Sequence, residues 1–553
     1  MRIWNFLSVL VMFFLFNGCN KKGASPPPVP AAFNLSALKL NGLAGGFTYY
    51  NINRNPVLRL SFSAPVNRNS VPIAITFTDK TGTGVSWNSQ YENNDSTIVI
   101  QPVSVINYLT KYIISVATAL KSASGVSLTS GINVTFTTQI DSSRKFPSLT
   151  DNELLDKIQL QTFKYFWDFA HPVSGLARER NTSNETVTSG GSGFGIMAIV
   201  TAIHRGFITR AEGLARMQII VGFLKNNAVK VKGAFPHWLN GTTGAIIPFS
   251  ANDNGADLVE TSYLMMGLLT ARQYFDGADP SETNLRNDIN TLYNNVEWDW
   301  FRQGNQNVLY WHYSPDKGWI MNHPIRGWNE TLITYVLAAS STTHGIPASV
   351  YNSGWKNSST FLNGNTYYGY TLPLGPALGG PLFFEHYSFM GINPNGLSDA
   401  SANYMTQTKN HTLINYNYCK ANPQQYFGYS DSVWGLTASD IEGGYTASSP
   451  TNDRGFIAPT AAISSIPFAP NESMAALKFF YYVLGDELWK EYGFVDAFSL
   501  HDTWFANSFL AIDQGPIIVM IENYRSGLLW NLFTSCPEVK TGMLALGFTA
   551  PYL

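Results

Sequence analysis

The sequence predicts a mainly α-helical protein, in which a large (α/α)6 toroid, a closed ring of helical hairpins, follows a small β-sandwich. Three observations support this fold class. The chain has 553 residues, more than a single hydrophobic core usually organises, so two or more domains are expected. Because 45% of the residues are hydrophobic, we do not expect extensive disorder. Short apolar runs alternate with polar residues up to about residue 140. From about residue 148, apolar residues recur at helical spacing instead.

Residues 1–19 predict a lipoprotein-type signal peptide. They contain one early arginine and an apolar run of about a dozen residues, too short for a stable membrane anchor. The run ends in glycine and Cys19, as in a bacterial lipobox, although Phe16 and Asn17 replace its usual residues. Plain secretion with an incidental cysteine is the alternative. We expect lipidation at Cys19, a proline-rich tether over 20–31, and an exported protein on the periplasmic face or outer-membrane surface of the cell envelope.

Residues 32–140 predict a β-sandwich. Runs such as LRLSF, AITFTD and STIVIQPV are short and β-branched, and Asn, Asp, Gly and Pro punctuate them. Several short strands at this spacing are typical of a sandwich of about 100 residues. The stretch LRLSFSAPVNRNSV with the closing VTFTTQI resembles the bacterial Ig-like modules found beside secreted enzymes. Because the segment has no acid pair or metal cluster, we favour a spacer over a carbohydrate-handling module.

Residues 148–553 predict about a dozen helices, more than a four-helix bundle uses. The first candidate, SLTDNELLDKIQ, opens with a capping signal and continues at helical spacing. No fixed-period repeat is visible, which disfavours an open solenoid. A closed ring satisfies the short connections and gives one core. Residues 232–257 form about 26 residues without a clear element, and loops of that length are usually functional.

Three carboxylates crowd the end of that loop, in a chain with only 13% charged residues. Asp257 and Glu260 are three positions apart, which also fits a helix capping box with no chemical role. A capping box does not explain Asp253. The acids therefore remain open to either interpretation when they are considered alone.

Two further acids occupy comparable positions. Glu330 stands at a helix start behind Trp328, and Asp513 stands just before a helix that we expect to carry Pro516 in its first turn. Each acid alone is more typical of a cap or a helix-dipole partner. In a ring of hairpins, however, inner-helix N-termini converge at one end. Acids from three separate segments would then meet in one groove.

Such a groove suits hydrolysis of a glycosidic bond, which needs one carboxylic acid and one carboxylate. The acid must hold its proton near neutral pH, and burial beside aromatic rings achieves this. Glu330 fits that role, with Asp513 or Asp257 as the ionised partner. Aromatic rings stack on sugars, and polar groups bond hydroxyls. The nearby loops carry His237, Trp238, Arg326, Trp328, His386 and Tyr387.

Other chemistries are less well supported. The net charge is −2 without a basic run, so nucleic acid is a poor partner. Neither GxSxG nor HExxH occurs, and SGGSGFG at 189–195 lacks the P-loop lysine and is interpreted as a loop leading into a helix. We expect no metal and no cofactor. Cys419 and Cys536 are expected to be buried thiols rather than a disulfide framework.

Six separated motifs carry a specific resemblance over about residues 150–550. They are GAFPHWLNG, ANDNGADLVETSYLMMGLL, RGWNETLITYVLAASS, GGPLFFEHYSF, GLTASD…GGY and IDQGPIIVMIENYRSGLLW. These motifs resemble glycoside hydrolase family 144, bacterial proteins with an older glucoamylase label. The resemblance implies an (α/α)6 barrel and inverting cleavage of β-1,2-glucan, either internally or by release of sophorose from an end. The older label would imply α-glucan cleavage instead.

The resemblance also assigns site residues. Asp253, Asp257, Glu260, Glu330 and Asp513 match acids in or near the family's groove. Glu330 is the expected general acid, and Asp513 ahead of Asp257 is the expected base. The residues expected to bind substrate are Asp253, Glu260, His237, Trp238, Arg326, Trp328, Glu385, His386 and Tyr387. The N-terminal sandwich is a departure, since not every family member carries one.

Two other functions remain open. A polysaccharide lyase on the same scaffold needs a Tyr or His base and positive groups for a uronate, which an acid-rich groove repels. A surface glycan-binding lipoprotein without catalysis would explain the tether and the aromatic residues, but it does not need converging carboxylates. We expect a monomer that binds a β-glucan polysaccharide or oligosaccharide and meets a membrane only through its N-terminal lipid.

Overall fold

The computed structural model describes residues 31–553, so the expected signal peptide and nearly all of the expected tether lie outside the described residues. The chain divides into two compact units. One comprises the residues up to Ile106 together with Tyr112–Phe136, and the other comprises Asn107–Lys111 and Thr137–Leu553. No helix in the described part of the chain is both long enough and apolar enough to cross a bilayer.

The small unit is a sandwich of two four-stranded sheets, counted over residues 31–138. Its elements are β1 (Leu35–Leu40), β2 (Thr48–Ile52), β3 (Leu58–Phe62), a short helix α1 (Val71–Ala74), β4 (Ile75–Asp79), β5 (Trp87–Glu92), β6 (Thr97–Pro102), β7 (Lys111–Val116) and β8 (Ile132–Thr138). One sheet has the order β1-β3-β6-β5 and the other β2-β8-β7-β4. The predicted alternation is confirmed in β3, where Leu58, Leu60 and Phe62 are buried while the residues between them are partly exposed.

The large unit is built from helices joined by loops that carry short hairpins. Its helices are α2 (Asp151–Trp167), α3 (Ser189–His204), α4 (Arg210–Asn226), α5 (Leu258–Tyr274), α6 (Pro280–Asn294), α7 (Leu332–Ser340), α8 (Ala348–Val350), α9 (Phe383–His386), α10 (Tyr404–Ala421), α11 (Pro459–Ile463), α12 (Pro470–Tyr482), α13 (Gly485–Leu488), α14 (Ala511–Ser526), α15 (Leu528–Thr534) and α16 (Pro537–Ala545). Its strands are β9 (Thr186–Thr188), β10 (Trp238–Asn240), β11 (Ile246–Ile247), β12 (Ala256–Asp257), β13 (His312–Tyr313), β14 (Thr366–Tyr367), β15 (Tyr370–Thr371), β16 (Ala438–Ile441), β17 (Gly444–Ala447), β18 (Trp489–Lys490), β19 (Gly493–Phe494), β20 (Phe498–Ser499) and β21 (Trp504–Phe505).

Six of the described helices, α3, α5, α7, α9, α11 and α14, form the inner ring. α14 packs against both α11 and α3, α3 against α5, and α5 against α7. The backbone N–H of Ile333 on α7 donates to Ser388 Oγ, just after α9, at 3.0 Å. At the end of α9, His386 Nε2 lies 2.9 Å from the hydroxyl of Ser465, which follows α11, and these two contacts close the ring. The outer helices α2, α4, α6, α10, α12 and α16 each pack on an inner helix. The predicted mainly α-helical (α/α)6 fold is confirmed.

Glycine sets the closeness of the inner helices. The stretch SGGSGFG is the first part of α3 and not a loop, so that part of the sequence interpretation was wrong. A Cβ added at Gly193 would collide with the backbone carbonyl of Tyr263 on α5, and one at Gly267 would collide with the carbonyl of Gly193. Here glycine allows two helix backbones to touch, which outweighs its cost inside a helix.

Other elements also differ from expectation. α14 begins at Ala511, so Asp513 is its third residue, and Pro516 lies inside the helix and not in the first turn. The loop 232–257 contains three short strands, of which β10 joins β11 and β9 in a small sheet. The helices α9, α11 and α15 were not predicted, because runs of four to seven residues carry too little periodicity.

Candidate active site

A cavity of about 490 Å³ lies where the inner helices begin. Five of the six inner helices contribute residues at or close to their first turn. The lining residues are Glu179, Arg180, Thr188, His237, Trp238, Phe249, Val259, Glu260, Tyr263, Trp311, Glu330, Phe383, Tyr387, Ala438, Tyr445, Ala447, Leu510 and Ile512. Of the acids that the sequence places at helix starts, Glu260 and Glu330 line the cavity, whereas Asp253, Asp257 and Asp513 do not.

Asp257 caps helix α5, but Glu260 does not complete the capping box that the sequence suggested. Asp257 is the N-cap of α5, and its Oδ1 accepts from the backbone N–H groups of Val259 and Glu260, both at 2.9 Å. Glu260 does not reach back to complete the box. Its Oε2 accepts from the N–H of Gly190 on α3 at 2.8 Å, and Glu260 lines the cavity. Because the glutamate turns to the neighbouring helix, the purely structural explanation fails for it.

Two histidines surround the Asp257 carboxylate. His237 Nδ1 lies 3.3 Å and His312 Nε2 lies 3.6 Å from Asp257 Oδ2, and His312 Nε2 lies 3.5 Å from Asp253 Oδ2. Burial opposes the charge on His237, but the Glu260 carboxylate and the hydrogen bond to Asp257 outweigh it and raise the His237 pKa to about 9. Burial also opposes the charge on Asp257, yet the two histidines hold its pKa below the usual value. Asp257 is therefore ionised beside a charged imidazole.

The pKa values of Asp253 and Glu260 are shifted in the opposite direction from that of Asp257. Burial, followed by the Asp257 charge, raises the Asp253 pKa to about 7 and raises that of Glu260 as well. Ligand atoms of His237, Asp253 and Asp257 lie within 4.8 Å of one another, a spacing that a cation could also use. The charged imidazole of His237 offsets part of the negative charge of this cluster.

Glu330 lies two residues before α7 and lines the cavity. Burial raises its pKa to about 7, and the charges of Asp257 and Glu260 act in the same direction. The backbone carbonyl of Glu330 accepts from Ser388 Oγ at 2.5 Å, which fixes this segment against the turn after α9. A carboxyl group that keeps its proton near neutral pH and faces a cavity is suited to protonate a leaving group.

A second acidic group lies behind another wall of the cavity. Asp513 is 2% exposed, and burial raises its pKa well above the usual range, with the neighbouring Asp496 acting in the same direction. Asp440 pairs with Arg180 at 3.3 Å, and its backbone N–H donates to Asp496 Oδ2 at 2.6 Å. Asp513 itself does not line the cavity, although Leu510 and Ile512 on either side of it do.

Aromatic rings form the cavity mouth. Phe249 is 50% exposed and stacks on His237, with centroids 4.3 Å apart and planes 22° apart. Trp238 lies against the same phenyl ring at 4.9 Å. Tyr445, on the hairpin of β16 and β17, is also 50% exposed. Exposed rings around a polar cavity are the arrangement that stacks on sugar faces.

The remaining residues expected to bind substrate are placed differently. Tyr387 lines the cavity, whereas Arg326 is exposed outside it. Glu385 is fully buried, and its Oε1 accepts from Trp328 Nε1 at 2.9 Å and from Gln407 Nε2 at 2.8 Å. His411 Nδ1 lies 2.9 Å from the same oxygen. Trp328, Glu385 and His386 thus form hydrogen bonds in the interior of the ring, and the structure does not bring them to the cavity.

Several residues of the site were missed by sequence reasoning. Asp440 and Tyr445 lie within the motif GLTASD…GGY, which was recognised without its side chains being assigned. Glu179 and Arg180 stand in the short run RER of a chain that uses few charges, which is a weak signal. Asp496 has no local signal, since only the fold brings it to Asp513. Cys419 and Cys536 are buried free thiols, as expected.

An (α/α)6 ring with carboxyl groups around a sugar-sized cavity defines a carbohydrate-active toroid. Residues 322–537 match the family model described as "Putative glucoamylase", and residues 48–138 match that of a bacterial Ig-like domain. The chain belongs to this glucoamylase-like family, glycoside hydrolase family 144. The resemblance stated from sequence motifs is therefore confirmed, and so is the Ig-like sandwich.

Three relatives illustrate the similarity. A crystal structure of a "putative glucoamylase" from Bacteroides uniformis is 57% identical, with a TM-score of 0.73, and covers 74% of this chain and 100% of its own. The endo-β-1,2-glucanase of Chitinophaga pinensis, crystallised with sophorotriose and glucose, is 49% identical, with a TM-score of 0.71, and covers 73% and 100%. A curated protein of Parabacteroides distasonis, described as an exo β-1,2-glucooligosaccharide sophorohydrolase acting at the non-reducing end, is 45% identical over 434 residues. That match spans 74% of this chain and 60% of the relative's length.

Proposed function

We propose that this protein hydrolyses β-1,2-linked glucan and its oligosaccharides by an inverting acid–base mechanism. The observation that carries the proposal is Glu330, a carboxyl group protonated near pH 7 that faces a cavity ringed by other acids and aromatic rings. The linkage is supported by the relatives from Chitinophaga pinensis and Parabacteroides distasonis, which are named for acting on β-1,2-glucan and its oligosaccharides.

Glu330 serves as the general acid. Its proton passes to the glycosidic oxygen as the bond to C1 breaks, and the oxocarbenium-like centre develops between the two acidic groups. Glu260 and the His237–Asp257 pair lie on the Glu330 side, where the field of Asp257 keeps the Glu330 proton in place until substrate accepts it. Substrate binding is assigned to Glu260, His237, Trp238 and Tyr387, which line the cavity, with Asp253 behind them.

The water-activating base is assigned to the Asp513 side. Asp257 Oδ1 caps α5, and Asp257 Oδ2 lies at ion-pair distance from two imidazoles. Asp257 is thus better suited to hold the site's charge than to take a proton from water. Asp513 remains the first choice, because its neighbours Leu510 and Ile512 line the cavity and inverting hydrolysis requires a second carboxylate besides the general acid.

The experiment is product analysis on linear β-1,2-glucan, with amylose and β-1,3-glucan as linkage controls. We expect short β-1,2-oligosaccharides from the first substrate alone, and their lengths over time distinguish internal from terminal cleavage. Glu330→Gln should lower kcat by about 10³-fold or more while glucan still binds, because it removes the proton donor. Release of glucose from amylose would favour the α-glucan activity, an unsaturated product would favour a lyase, and no reducing sugar from any glucan would favour a binding protein.

Export to the cell envelope as a lipoprotein is part of the proposal and rests on the sequence of residues 1–19. Metabolic labelling with radioactive palmitate, compared between wild type and Cys19→Ser, tests it. We expect label on the wild type alone, and equal labelling would contradict lipidation at Cys19. Light scattering of the chain without residues 1–19 should report the proposed monomer.

A further inference from the structure

Glu330 stands on a turn, two residues before α7 begins. A general acid must be held within about 0.5 Å of its productive position, and a misplacement of about 1 Å already costs about 100-fold in rate. A turn lacks the regular hydrogen bonds that stiffen a helix. Contacts from a neighbouring segment must therefore fix the backbone that carries the Glu330 carboxyl group.

The hydroxyl of Ser388 makes those contacts. Ser388 Oγ donates to the carbonyl oxygen of Glu330 at 2.5 Å and accepts from the backbone N–H of Ile333, in the first turn of α7, at 3.0 Å. The first N–H groups of a helix need partners from outside it. The N-cap residue of α7, Thr331, donates its own hydroxyl to Asn329 Oδ1 at 2.6 Å instead. The hydroxyl of Ser388 therefore caps α7 from another segment and spans the turn of the general acid.

The turn that carries Ser388 is itself anchored. It is a single 3-10 helical turn directly after α9, and Ser388 is 1% exposed. The carbonyl of Phe389 accepts from Trp530 Nε1 on α15 at 2.6 Å, and the carbonyl of Met390 accepts from Asn523 Nδ2 on α14 at 2.9 Å. Hydrogen bonds thus connect α14 and α15, through this turn, to the segment of the general acid.

This turn also lies next to the cavity wall. Tyr387, which directly precedes Ser388, lines the cavity together with Glu330. Helix α14, to which the turn is bonded, carries Asp513, the proposed base. An inverting hydrolase keeps its two carboxyl groups about 6.5–9.5 Å apart, so that water fits between them. Ser388 therefore lies where one hydroxyl sets the position of the acid relative to the wall and to the helix of the base.

We propose that Ser388 is a positioning residue for the general acid, and that its hydroxyl holds the main chain of Glu330 where the carboxyl proton meets the glycosidic oxygen. This inference rests on the proposed function for its catalytic part. Ser388 is buried and acts through Glu330, not on the sugar. Removal of the hydroxyl leaves the Glu330 carbonyl and the Ile333 N–H without this partner, so the turn relaxes and the acid moves.

Steady-state kinetics of Ser388→Ala on β-1,2-glucan is the first test. We expect kcat to fall by about 10- to 100-fold and KM to change by less than about twofold, because the residues that line the cavity remain and the proton donor is displaced. Ser340→Ala is the matched control. Ser340 lies at the other end of α7, is 3% exposed, and donates to the carbonyl of Val336 at 2.7 Å. An equal loss of kcat in both variants, or wild-type kcat in Ser388→Ala, would overturn the proposal.

The alkaline limb of kcat/KM is a readout that a merely structural role would not move. Burial raises the Glu330 pKa to about 7, and this pKa falls when the turn relaxes and water reaches the carboxyl group. The limb should therefore move to lower pH by about half a unit or more in Ser388→Ala and stay in place in Ser340→Ala. The ionisable groups that face Glu330 are the same in both variants, namely Asp257, Glu260, Tyr263 and Tyr387. A limb that stays in place in Ser388→Ala would overturn the positioning role.

The Glu330 pKa can also be followed without substrate. The free energy of unfolding in urea is measured against pH for Ser388→Ala and for the double variant with Glu330→Gln, and the difference between the two reports the folded-state pKa of Glu330. We expect a lower pKa than the same comparison gives in the wild-type background, and an unchanged pKa would overturn the proposal. If β-1,2-glucan is not the substrate, the kinetic tests are lost, but this comparison still decides whether Ser388 holds Glu330.

Ser388→Thr keeps the test decisive where Ser388→Ala folds poorly. Threonine retains the hydroxyl that bonds the Glu330 carbonyl, so this variant should recover most of kcat and return the alkaline limb to its wild-type position. A threonine variant with the same kcat and the same limb as Ser388→Ala would show that the hydroxyl does not position the acid.

Discussion

Glu330→Gln should make the protein more stable at alkaline pH while it removes catalysis. The Glu330 pKa rises from 4.5 to about 7 on folding, so the folded protein prefers the protonated side chain. A raised carboxyl pKa contributes stability that is fully present below the unfolded value and is lost as pH rises through the folded value. Glutamine resembles the protonated acid in shape and hydrogen bonding, and it does not titrate.

The magnitude follows from the shift. A change from 4.5 to about 7 is about 2.5 pH units, and each unit corresponds to 1.36 kcal/mol, so the total is about 3 kcal/mol. Between pH 4.5 and 7 the unfolding free energy of wild type should therefore fall relative to that of Glu330→Gln by about this amount. Above pH 7 the difference should stay constant, because both states of wild type are then ionised.

The assay is equilibrium urea unfolding at pH 4.5, 6 and 8.5, followed by far-UV circular dichroism, which reports the helical unit. Glu487→Gln is the control, because Glu487 is solvent-exposed in the folded chain and its environment changes little on unfolding. A difference between wild type and Glu330→Gln that does not change with pH would refute a Glu330 that is protonated in the folded protein. So would a greater relative stability of wild type at high pH.

Three further predictions concern the ring and the cavity mouth. Gly193→Ala should lower the free energy of unfolding in urea by about 1–3 kcal/mol, because the added methyl group meets the Tyr263 carbonyl. The control Gly222→Ala on α4 has open space around the new methyl group and should be neutral or stabilising. Equal effects of the two changes would contradict the close approach of α3 and α5. Glu385→Ala should lower the free energy of unfolding by more than about 2 kcal/mol, because Trp328, Gln407 and His411 lose a buried hydrogen-bond partner. It should also lower kcat, because the segment that carries Glu330 becomes less firmly held. A loss of stability below about 1 kcal/mol would argue against this role of Glu385. Phe249→Ala should raise KM by about tenfold with kcat little changed, because a ring that stacks on the sugar is lost. Phe47, in the sandwich, is an equally exposed ring, and the control Phe47→Ala should leave KM unchanged. Equal KM values for the two variants would contradict a role of Phe249 in substrate binding.

The long amphipathic helices and the alternating strands could be predicted because their hydrophobic period is local. Thr150 and Glu153, for example, form the complete capping box that the sequence suggested at the start of α2. The strands β1, β2 and β5 were missed because their apolar residues do not alternate clearly, as in WNSQYE. The short inner helices α9 and α11 were missed for the same kind of reason, since tertiary packing rather than local pattern creates them.

Some residues of the candidate site could likewise be predicted from the sequence, and others could not. Acids at helix starts, such as Glu330 and Glu260, could be found because the ring places five of its six inner-helix starts around one cavity. Arg326 and Glu385 lie close in sequence to cavity residues, but a single turn of the chain carries them to the surface and to the interior. Asp496 and Asp513 influence each other's pKa although they lie 17 residues apart on either side of β20 and β21, and no spacing rule in the sequence predicts this.

The anomeric form of the first product tests the central claim most directly. Linear β-1,2-glucan is added to the protein, and the newly formed reducing end is followed by proton NMR before mutarotation equalises the two anomers. The account predicts that the α-anomer forms first, because water enters on the face opposite the departing sugar, on the Asp513 side of the cavity. Initial release of the β-anomer, or an intact polymer after prolonged incubation, would contradict it.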